Sequence, residues 1–141
     1  MNVSLLVDTG PLVALLDRSD IHHPWAVQCF KQLRAPLFTC EAVMAETMHL
    51  LRKLPPSLKT LAIWHGEGIF RCSFDFQAQA PACWKLLGKY ADTPMDFADA
   101  CMVRMAEIHP NPRVWTTDTD FQIYRRNARA VIPLLAPWEK Y

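Results

Sequence analysis

Residues 93–107 read TPMDFADACMVRMAE and predict a helix that is apolar nearly all round, as in a helix that lies inside a protein. Thr93 can serve as its N-cap, Pro94 suits the first helical position, and Asp96 falls where a capping box places its acid. Asp99 is the exception, because its neighbours one and two turns away are all apolar: Met95, Met102, Val103 and Ala106. An ionised carboxylate on such a surface is costly unless it is paired or binds a metal, so Asp99 is a candidate site residue.

The composition of the chain indicates an ordinary single domain. Its 141 residues suit one domain, residues 1–141, and 51% hydrophobic content is enough for a sizeable core. A net charge of +1 indicates no strong field that would attract nucleic acid or a membrane. The five cysteines are isolated in sequence, which is typical of reduced thiols in a cytosolic protein. Because no apolar run approaches the roughly 20 residues that span a bilayer, we expect a cytoplasmic protein with no membrane partner.

Short apolar runs alternate with helical segments along the chain. The candidate strands are residues 3–7, 37–39, 69–74, 114–117 and 130–132. The candidate helices, besides the one that carries Asp99, are residues 12–16, 25–33, 41–54, 57–64, 77–90 and 121–126. Alternating strands and helices form βαβ units, so we predict an α/β fold whose parallel sheet of about five strands has helices on both faces.

The acids at the ends of two predicted strands indicate where a site would lie. Ligands of such folds bind at the carboxyl ends of the strands, where the strand order reverses. Asp8 ends the first predicted strand and Asp118 ends the fourth. If these strands are neighbours at the reversal, the two acids meet in one crevice. Glu46 and Asp99, from helices beside the sheet, could then complete a cluster of carboxylates.

Each acid also has a structural interpretation. Asp8 could cap the helix that follows its strand, and Glu46 could pair with His49 or Lys53 along its helix. Asp96 is explained as a capping-box acid, whereas the sequence indicates no such role for Asp99. Asp118 could cap the helix that follows, but it directly leaves a strand, and we assign it to the site on that ground.

Acids without a partner base or nucleophile favour metal chemistry. Converging carboxylates raise one another's pKa values unless cations neutralise them, and oxygen ligands suit hard cations such as Mg²⁺ or Mn²⁺. A pair of such ions can activate a water, orient a phosphodiester and stabilise the leaving oxygen. The pattern therefore favours hydrolysis of a nucleic-acid backbone. A small basic group just past Asp118 could hold phosphates nearby, although such a group is more often solvated surface: Arg125, Arg126 and Arg129.

Four segments, taken in order, resemble PIN-domain ribonucleases and most of all the small VapC-type toxins of toxin–antitoxin pairs. They are VDTGPL at 7–12, Glu46 within an apolar helix, DFADA at 96–100 and TTDTDF at 116–121. The resemblance implies a three-layer α/β/α sandwich and metal-dependent endonuclease activity on RNA, with Mg²⁺ or Mn²⁺ as the cofactor. It also implies a homodimer, and silencing by an antitoxin peptide laid across the active-site groove.

The resemblance carries over to single residues. Asp8, Glu46 and Asp99 fall on the family's core acidic positions, and Asp118 falls on its more variable fourth acid. We therefore expect Asp8 and Asp99 to be the principal Mg²⁺ ligands and Asp118 to help hold a second ion. Glu46 would bind the ion through water or orient the attacking water. Three further residues match supporting positions, one often acidic and two that bear hydroxyls beside the acids: Asp96, Thr9 and Thr117.

Two other classes of function remain open at this point. A haloacid-dehalogenase-type phosphatase or a phospho-accepting receiver would use Asp8 as its covalent phosphate acceptor. The phosphatase pattern requires a second Asp at position 10, which is Gly, and a receiver requires a lysine where Asp118 stands. A PIN-like module that has lost its chemistry would only bind RNA or protein, and the complete set of four acids argues against it.

Overall fold

The computed structural model describes residues 2–139, and its centre is a sheet of five parallel strands. The strands of this part of the chain are β1 (Ser4–Val7), β2 (Leu37–Thr39), β3 (Phe70–Cys72), β4 (Pro112–Trp115), β5 (Arg125–Arg126), β6 (Ala130–Val131) and β7 (Leu134–Leu135). The sheet has the order β3-β2-β1-β4-β7, and every neighbouring pair in it is parallel. β5 and β6 form a separate antiparallel pair. The predicted α/β class with its sheet of about five strands is confirmed.

Helices cover both faces of the sheet. They are α1 (Thr9–Leu16), α2 (His23–Gln32), α3 (Glu41–Leu50), α4 (Pro55–Gly66), α5 (Phe76–Lys89) and α6 (Phe97–Ile108), and a short 3₁₀ helix, Thr119–Gln122, follows β4. Successive residues of a strand face opposite sides of a sheet, yet Leu5, Leu6 and Val7 of β1 are all buried. The fold is therefore a three-layer α/β/α sandwich. No helix within residues 2–139 is both long and apolar enough to cross a membrane.

Several predicted elements are wrong in detail. The sequence predicts residues 130–132 in the parallel sheet, but β6 pairs with β5, and β7 provides the fifth strand. β7 has two residues, which is too short for its pattern to be recognised. The helix expected at 121–126 is replaced by the 3₁₀ helix. The helix predicted at 41–54 ends at Leu50, and the helix predicted at 57–64 begins earlier, at Pro55. Proline suits the first turn of a helix as well as the position after one.

The start of α6 also differs from the prediction. Thr93 and Pro94 lie in a turn, and Asp96 is the N-cap. Asp96 Oδ1 accepts a hydrogen bond of 2.8 Å from the Asp99 amide, and Asp99 Oδ2 accepts one of 3.2 Å from the Asp96 amide. The sequence contains two overlapping capping boxes, residues 93–96 and 96–99, and the second one forms. Asp99, for which the sequence indicated no structural role, is therefore the N3 acid of this box.

The order of the strands reverses between β1 and β4, which are neighbours as expected. Val7 is in register with Trp115, and the Asp8 amide donates a hydrogen bond of 3.0 Å to the Trp115 carbonyl. Gly10, in the first turn of α1, packs against Thr117, which follows β4. A Cβ atom on residue 10 would overlap the Thr117 hydroxyl and lie 3.2 Å from its Cβ. The absence of a side chain at position 10 thus lets α1 approach the segment after β4.

This contact gives a prediction about stability. We expect Gly10→Ala to lower the free energy of unfolding by about 1–3 kcal/mol, because the methyl group overpacks against Thr117. Alanine is otherwise favoured over glycine in a helix by about 1 kcal/mol. Gly88→Ala is the matched control, since a Cβ atom on Gly88, which lies in α5, would meet no heavy atom within 4 Å, and it should raise stability. Urea unfolding measures both. If Gly10→Ala were as stable as Gly88→Ala, the close packing of Gly10 against Thr117 would be contradicted.

Candidate active site

A hollow of about 280 Å³ lies where β1 and β4 end. Its acidic lining residues come from the ends of strands, from α3 and α6, and from the loop after α1: Asp8, Asp20, Glu46, Asp96, Asp99 and Asp118. Small and apolar residues complete the lining: Thr9, Gly10, Val13, Leu50 and Thr117. The structure therefore brings the four predicted core acids into one hollow, together with Asp20, which the sequence did not single out.

Asp8 is buried at the carboxyl end of β1. Its Oδ2 accepts a hydrogen bond of 2.7 Å from the Thr116 hydroxyl, which in turn accepts one of 2.9 Å from the Asp118 amide. Burial raises the pKa of Asp8 to about 6, the Thr116 hydrogen bond opposes that rise, and the charges of Asp118 and Glu46 add to it. Asp8 precedes α1, but its carboxylate makes no capping hydrogen bond, so the capping interpretation is wrong.

Asp99 is the second buried acid, with 7% of its surface exposed. Both hydrogen bonds that its side chain accepts fall on Oδ2: one from the Asp96 amide and one of 3.2 Å from the Tyr124 hydroxyl. Burial raises the pKa of Asp99 to about 7, and the charges of Asp96, Asp8 and Asp118 add to this effect. Two hydrogen bonds thus hold the Asp99 carboxylate, and the negative charges of the nearby acids repel its ionised form.

Glu46 and Asp118 lie at the more accessible side of the hollow. Glu46 is exposed on α3, and its pKa is raised by partial burial and by the charges of Asp96 and Asp118. Asp118 is half-buried, and its Oδ1 caps the 3₁₀ helix by accepting a hydrogen bond of 2.9 Å from the Asp120 amide. Burial raises the pKa of Asp118 as well. Asp118 therefore both caps the 3₁₀ helix and lines the hollow, although the sequence offered these two roles as alternatives.

No cation of the described chain neutralises these acids. Within residues 2–139, the salt bridge that forms joins Arg104 to Glu107, away from the hollow. Within the part of the chain that the structure describes, neither His49 nor Lys53, which the sequence suggested as partners for Glu46, forms a salt bridge with it. Groups of carboxylates with raised pKa values and no basic partner are common in sites that bind a cation or a proton.

Three threonines lie beside the acids, and two of them are the predicted supporting residues. Thr9 and Thr117 line the hollow, but the hydroxyl that binds Asp8 belongs to Thr116. The Thr9 hydroxyl is buried and has no hydrogen-bond partner within the described chain. Successive residues after a strand face opposite directions, so the choice between Thr116 and Thr117 depends on the exact end of β4, which sequence patterns do not fix.

The basic group after Asp118 does not line the hollow. The Arg125 guanidinium donates to the carbonyl groups of the preceding residues, and Arg126 donates to the Ala106 carbonyl at 3.2 Å. Arg129 is exposed beside β6. A contact between these arginines and RNA phosphates therefore stays a prediction, and it requires the substrate to extend beyond the acidic hollow.

The chemistry of the site fits a hydrated hard cation. Among residues 2–139, no three or more His, Cys, Asp or Glu side chains are arranged so that they could hold a metal ion. Mg²⁺, however, keeps several waters and is usually bound through one or two carboxylates plus substrate phosphates. In Asp8 and in Asp99 the hydroxyl donor engages one oxygen, Oδ2, so the other oxygen of each carboxylate is not held by a hydroxyl group. The residues present therefore suit a cation that binds two carboxylates and water.

The fold and the hollow define an α/β protein with a carboxylate site at the reversal of strand order. Comparison with known families matches residues 5–127 to the PIN domain, and the chain belongs to that family. Among solved structures it is similar to VapC20 of Mycobacterium tuberculosis, which is described as a sarcin–ricin loop cleaving toxin. The TM-score is 0.70 at 21% identity, over 85% of this chain and 94% of that one. No curated protein matches the chain significantly.

The raised pKa values give a prediction about pH. A folded-state pKa of about 7 for Asp99, against 3.8 for the ordinary group, means that the folded state holds this proton more tightly. The resulting stabilisation is complete below pH 3.8 and is lost as the pH rises through 7. In EDTA, Asp99→Asn should therefore be more stable than the wild type at pH 8, and this advantage should shrink as the pH falls to 4.

Urea unfolding in EDTA across this pH range makes the measurement. Asp75→Asn is the matched control, because Asp75 is an exposed N-cap of α5 and Asn caps a helix equally well. The gain in stability relative to the wild type between pH 4 and pH 8 should be larger for Asp99→Asn than for Asp75→Asn. If the stability difference between Asp99→Asn and the wild type changed with pH no more than that of Asp75→Asn, Asp99 would not carry a buried, unneutralised charge.

Proposed function

We propose that this PIN-domain protein is an endoribonuclease that hydrolyses RNA phosphodiester bonds with the help of Mg²⁺ or Mn²⁺. The observation that carries the proposal is the convergence of Asp8, Glu46, Asp99 and Asp118 in one hollow without a basic partner. Carboxylates so arranged suit divalent cations and phosphodiester hydrolysis, and no serine, cysteine, lysine or histidine of residues 2–139 lines the hollow.

The positions of the acids suggest their roles. Asp8 and Asp99 would bind the ion, which supplies an activated water and charge neutralisation at the phosphate. Glu46 lies at the accessible side of the hollow, where it would orient the attacking water and accept its proton, and its raised pKa suits a general base. Asp118 would help hold a second ion. Attack of water on phosphorus breaks the bond to the 3′-oxygen and leaves a 5′-phosphate and a 3′-hydroxyl.

We also propose that the protein is the toxin of a toxin–antitoxin pair. The support is its structural likeness to VapC20, together with the family motifs in the sequence. By this proposal its partners are an RNA substrate, a second copy of the chain and an antitoxin peptide that covers the hollow, and it acts in the cytoplasm. A small upstream reading frame encoding a DNA-binding protein would support the pairing.

The alternative functions have less support. A phosphate acceptor must present a carboxylate to its substrate, but Asp8 is 6% exposed and one of its oxygens is hydrogen-bonded to Thr116. A binding module without chemistry has no need for Asp8 and Asp99 to be buried without a cation, because this arrangement costs stability. Both alternatives predict that cleavage of RNA does not depend on Asp99.

The proposal is tested by cleavage of total RNA. We expect the wild type to cleave with Mg²⁺ and not with EDTA, and Asp99→Asn to be at least about 100-fold slower, since removing one charge-stabilising group from a site costs this much or more. Asparagine keeps an oxygen acceptor for the Asp96 amide and the Tyr124 hydroxyl, so the fold should persist. Asp75→Asn should cleave like the wild type. Equal rates for a folded Asp99→Asn and the wild type would refute the proposal.

A further inference from the structure

Tyr124 places its hydroxyl on the buried carboxylate of Asp99. The side chain is fully buried and donates a hydrogen bond of 3.2 Å to Asp99 Oδ2. Two aromatic rings hold the Tyr124 ring edge to face: Tyr90, with centroids 5.2 Å apart, and Phe121, at 5.3 Å. The backbone is fixed as well, because the Tyr124 amide donates to the Asp120 carbonyl at 3.2 Å. The hydroxyl therefore has little freedom to leave Asp99.

The neighbouring Tyr90 shows what a purely structural tyrosine does in this cluster. Its ring packs on Tyr124, and its hydroxyl accepts a hydrogen bond of 2.9 Å from the Arg125 amide. A buried tyrosine hydroxyl needs a partner wherever it lies. Tyr90 finds that partner in the backbone, whereas Tyr124 finds it in an acid of the candidate site. Tyr124 and Tyr90 are thus packed alike but differ in the hydroxyl partner, which is the Asp99 carboxylate for Tyr124 and a backbone amide for Tyr90.

One segment of the chain fixes both buried acids. Thr116 donates to Oδ2 of Asp8, and Tyr124 donates to Oδ2 of Asp99. Between these two residues, Asp118 caps the 3₁₀ helix and so sets the path of the chain from one donor to the other. In both acids the hydroxyl donates to Oδ2 and not to Oδ1, and both acids line the hollow.

We propose that Tyr124 is a positioning residue, which holds the Asp99 carboxylate in one orientation so that Oδ1 faces the hollow and can bind a divalent cation. Its effect on the cation rests on the proposed function, whereas its effect on the orientation of Asp99 does not. A hydroxyl donor also stabilises the ionised form of a carboxylate, which is the form that binds a metal. Tyr124 does not touch the substrate, and it acts through Asp99.

Two variants that each remove one hydroxyl test the proposal. Tyr124→Phe removes the hydrogen bond to Asp99, and Tyr90→Phe removes a hydroxyl from the ring packed against it, without contact with the acid. Both variants should lose stability, so stability alone does not distinguish them. The measurements are therefore made at a temperature at which circular dichroism shows all three proteins to be folded.

The first measurement is the χ1 rotamer of Asp99 in the metal-free protein, from three-bond NMR couplings between its carboxyl carbon and the backbone. We expect one χ1 rotamer of Asp99 in the wild type and in Tyr90→Phe. In Tyr124→Phe we expect couplings averaged over several χ1 rotamers of Asp99. The second is the affinity for Mn²⁺ alone, by calorimetry. Tyr124→Phe should bind Mn²⁺ about 10–100-fold more weakly, the usual cost of losing a residue that orients a metal ligand, and Tyr90→Phe should bind like the wild type.

The outcomes separate this inference from the proposed function. A single Asp99 rotamer and unchanged Mn²⁺ affinity in Tyr124→Phe would overturn the inference, as would an equal loss in Tyr90→Phe. An averaged rotamer with unchanged Mn²⁺ affinity would overturn its role toward the cation. If the wild type bound no Mn²⁺ while Asp99 became averaged in Tyr124→Phe alone, the metal-dependent function would fail, and the orientation of Asp99 by Tyr124 would be supported.

Discussion

A backbone hydrogen bond of 3.0 Å, from the Asp8 amide to the Trp115 carbonyl, joins the ends of β1 and β4. These strands are far apart in sequence and neighbours in the sheet, at the point where the strand order reverses. Their pairing sets the residues after β4 beside Asp8, so that the Thr116 hydroxyl reaches its carboxylate. Gly10 then lets α1 pack closely on the same segment. The meeting of Asp8 and Asp118 in one hollow depends on this pairing.

The hollow is built at a cost in stability. Asp8 and Asp99 are buried without a basic partner, and their pKa values are raised towards neutrality. Hydrogen bonds offset part of this cost: Thr116 binds Asp8, and the capping box and Tyr124 bind Asp99. A bound cation would offset the rest, since the charges that repel one another in its absence would then be shared with it. Asp99, the acid that completes the capping box of α6, is therefore also one of the acids of the hollow.

Strong local signals in the sequence allowed four of the five strands of the sheet, together with Asp8 and Asp99, to be predicted. An apolar run followed by an acid marked β1 and Asp8, and one acid in an otherwise apolar helix marked Asp99. The partners of the acids were not predictable in the same way. The choice of Thr116 over Thr117 depends on where β4 ends, and Tyr124 reaches Asp99 through packing between segments separate in sequence. Tertiary contacts, and not local pattern, decide such pairs.

The central claim is that Asp8 and Asp99 bind one divalent cation between them. Crystals grown with Mn²⁺ and measured at a wavelength where manganese scatters anomalously test it directly. We expect an anomalous peak in the hollow, with one oxygen of Asp8 and one of Asp99 at about 2.1 Å, which is the distance at which such small hard cations bind oxygen. No peak in the hollow at saturating Mn²⁺, or a peak in contact with neither carboxylate, would show that the two acids do not share a cation.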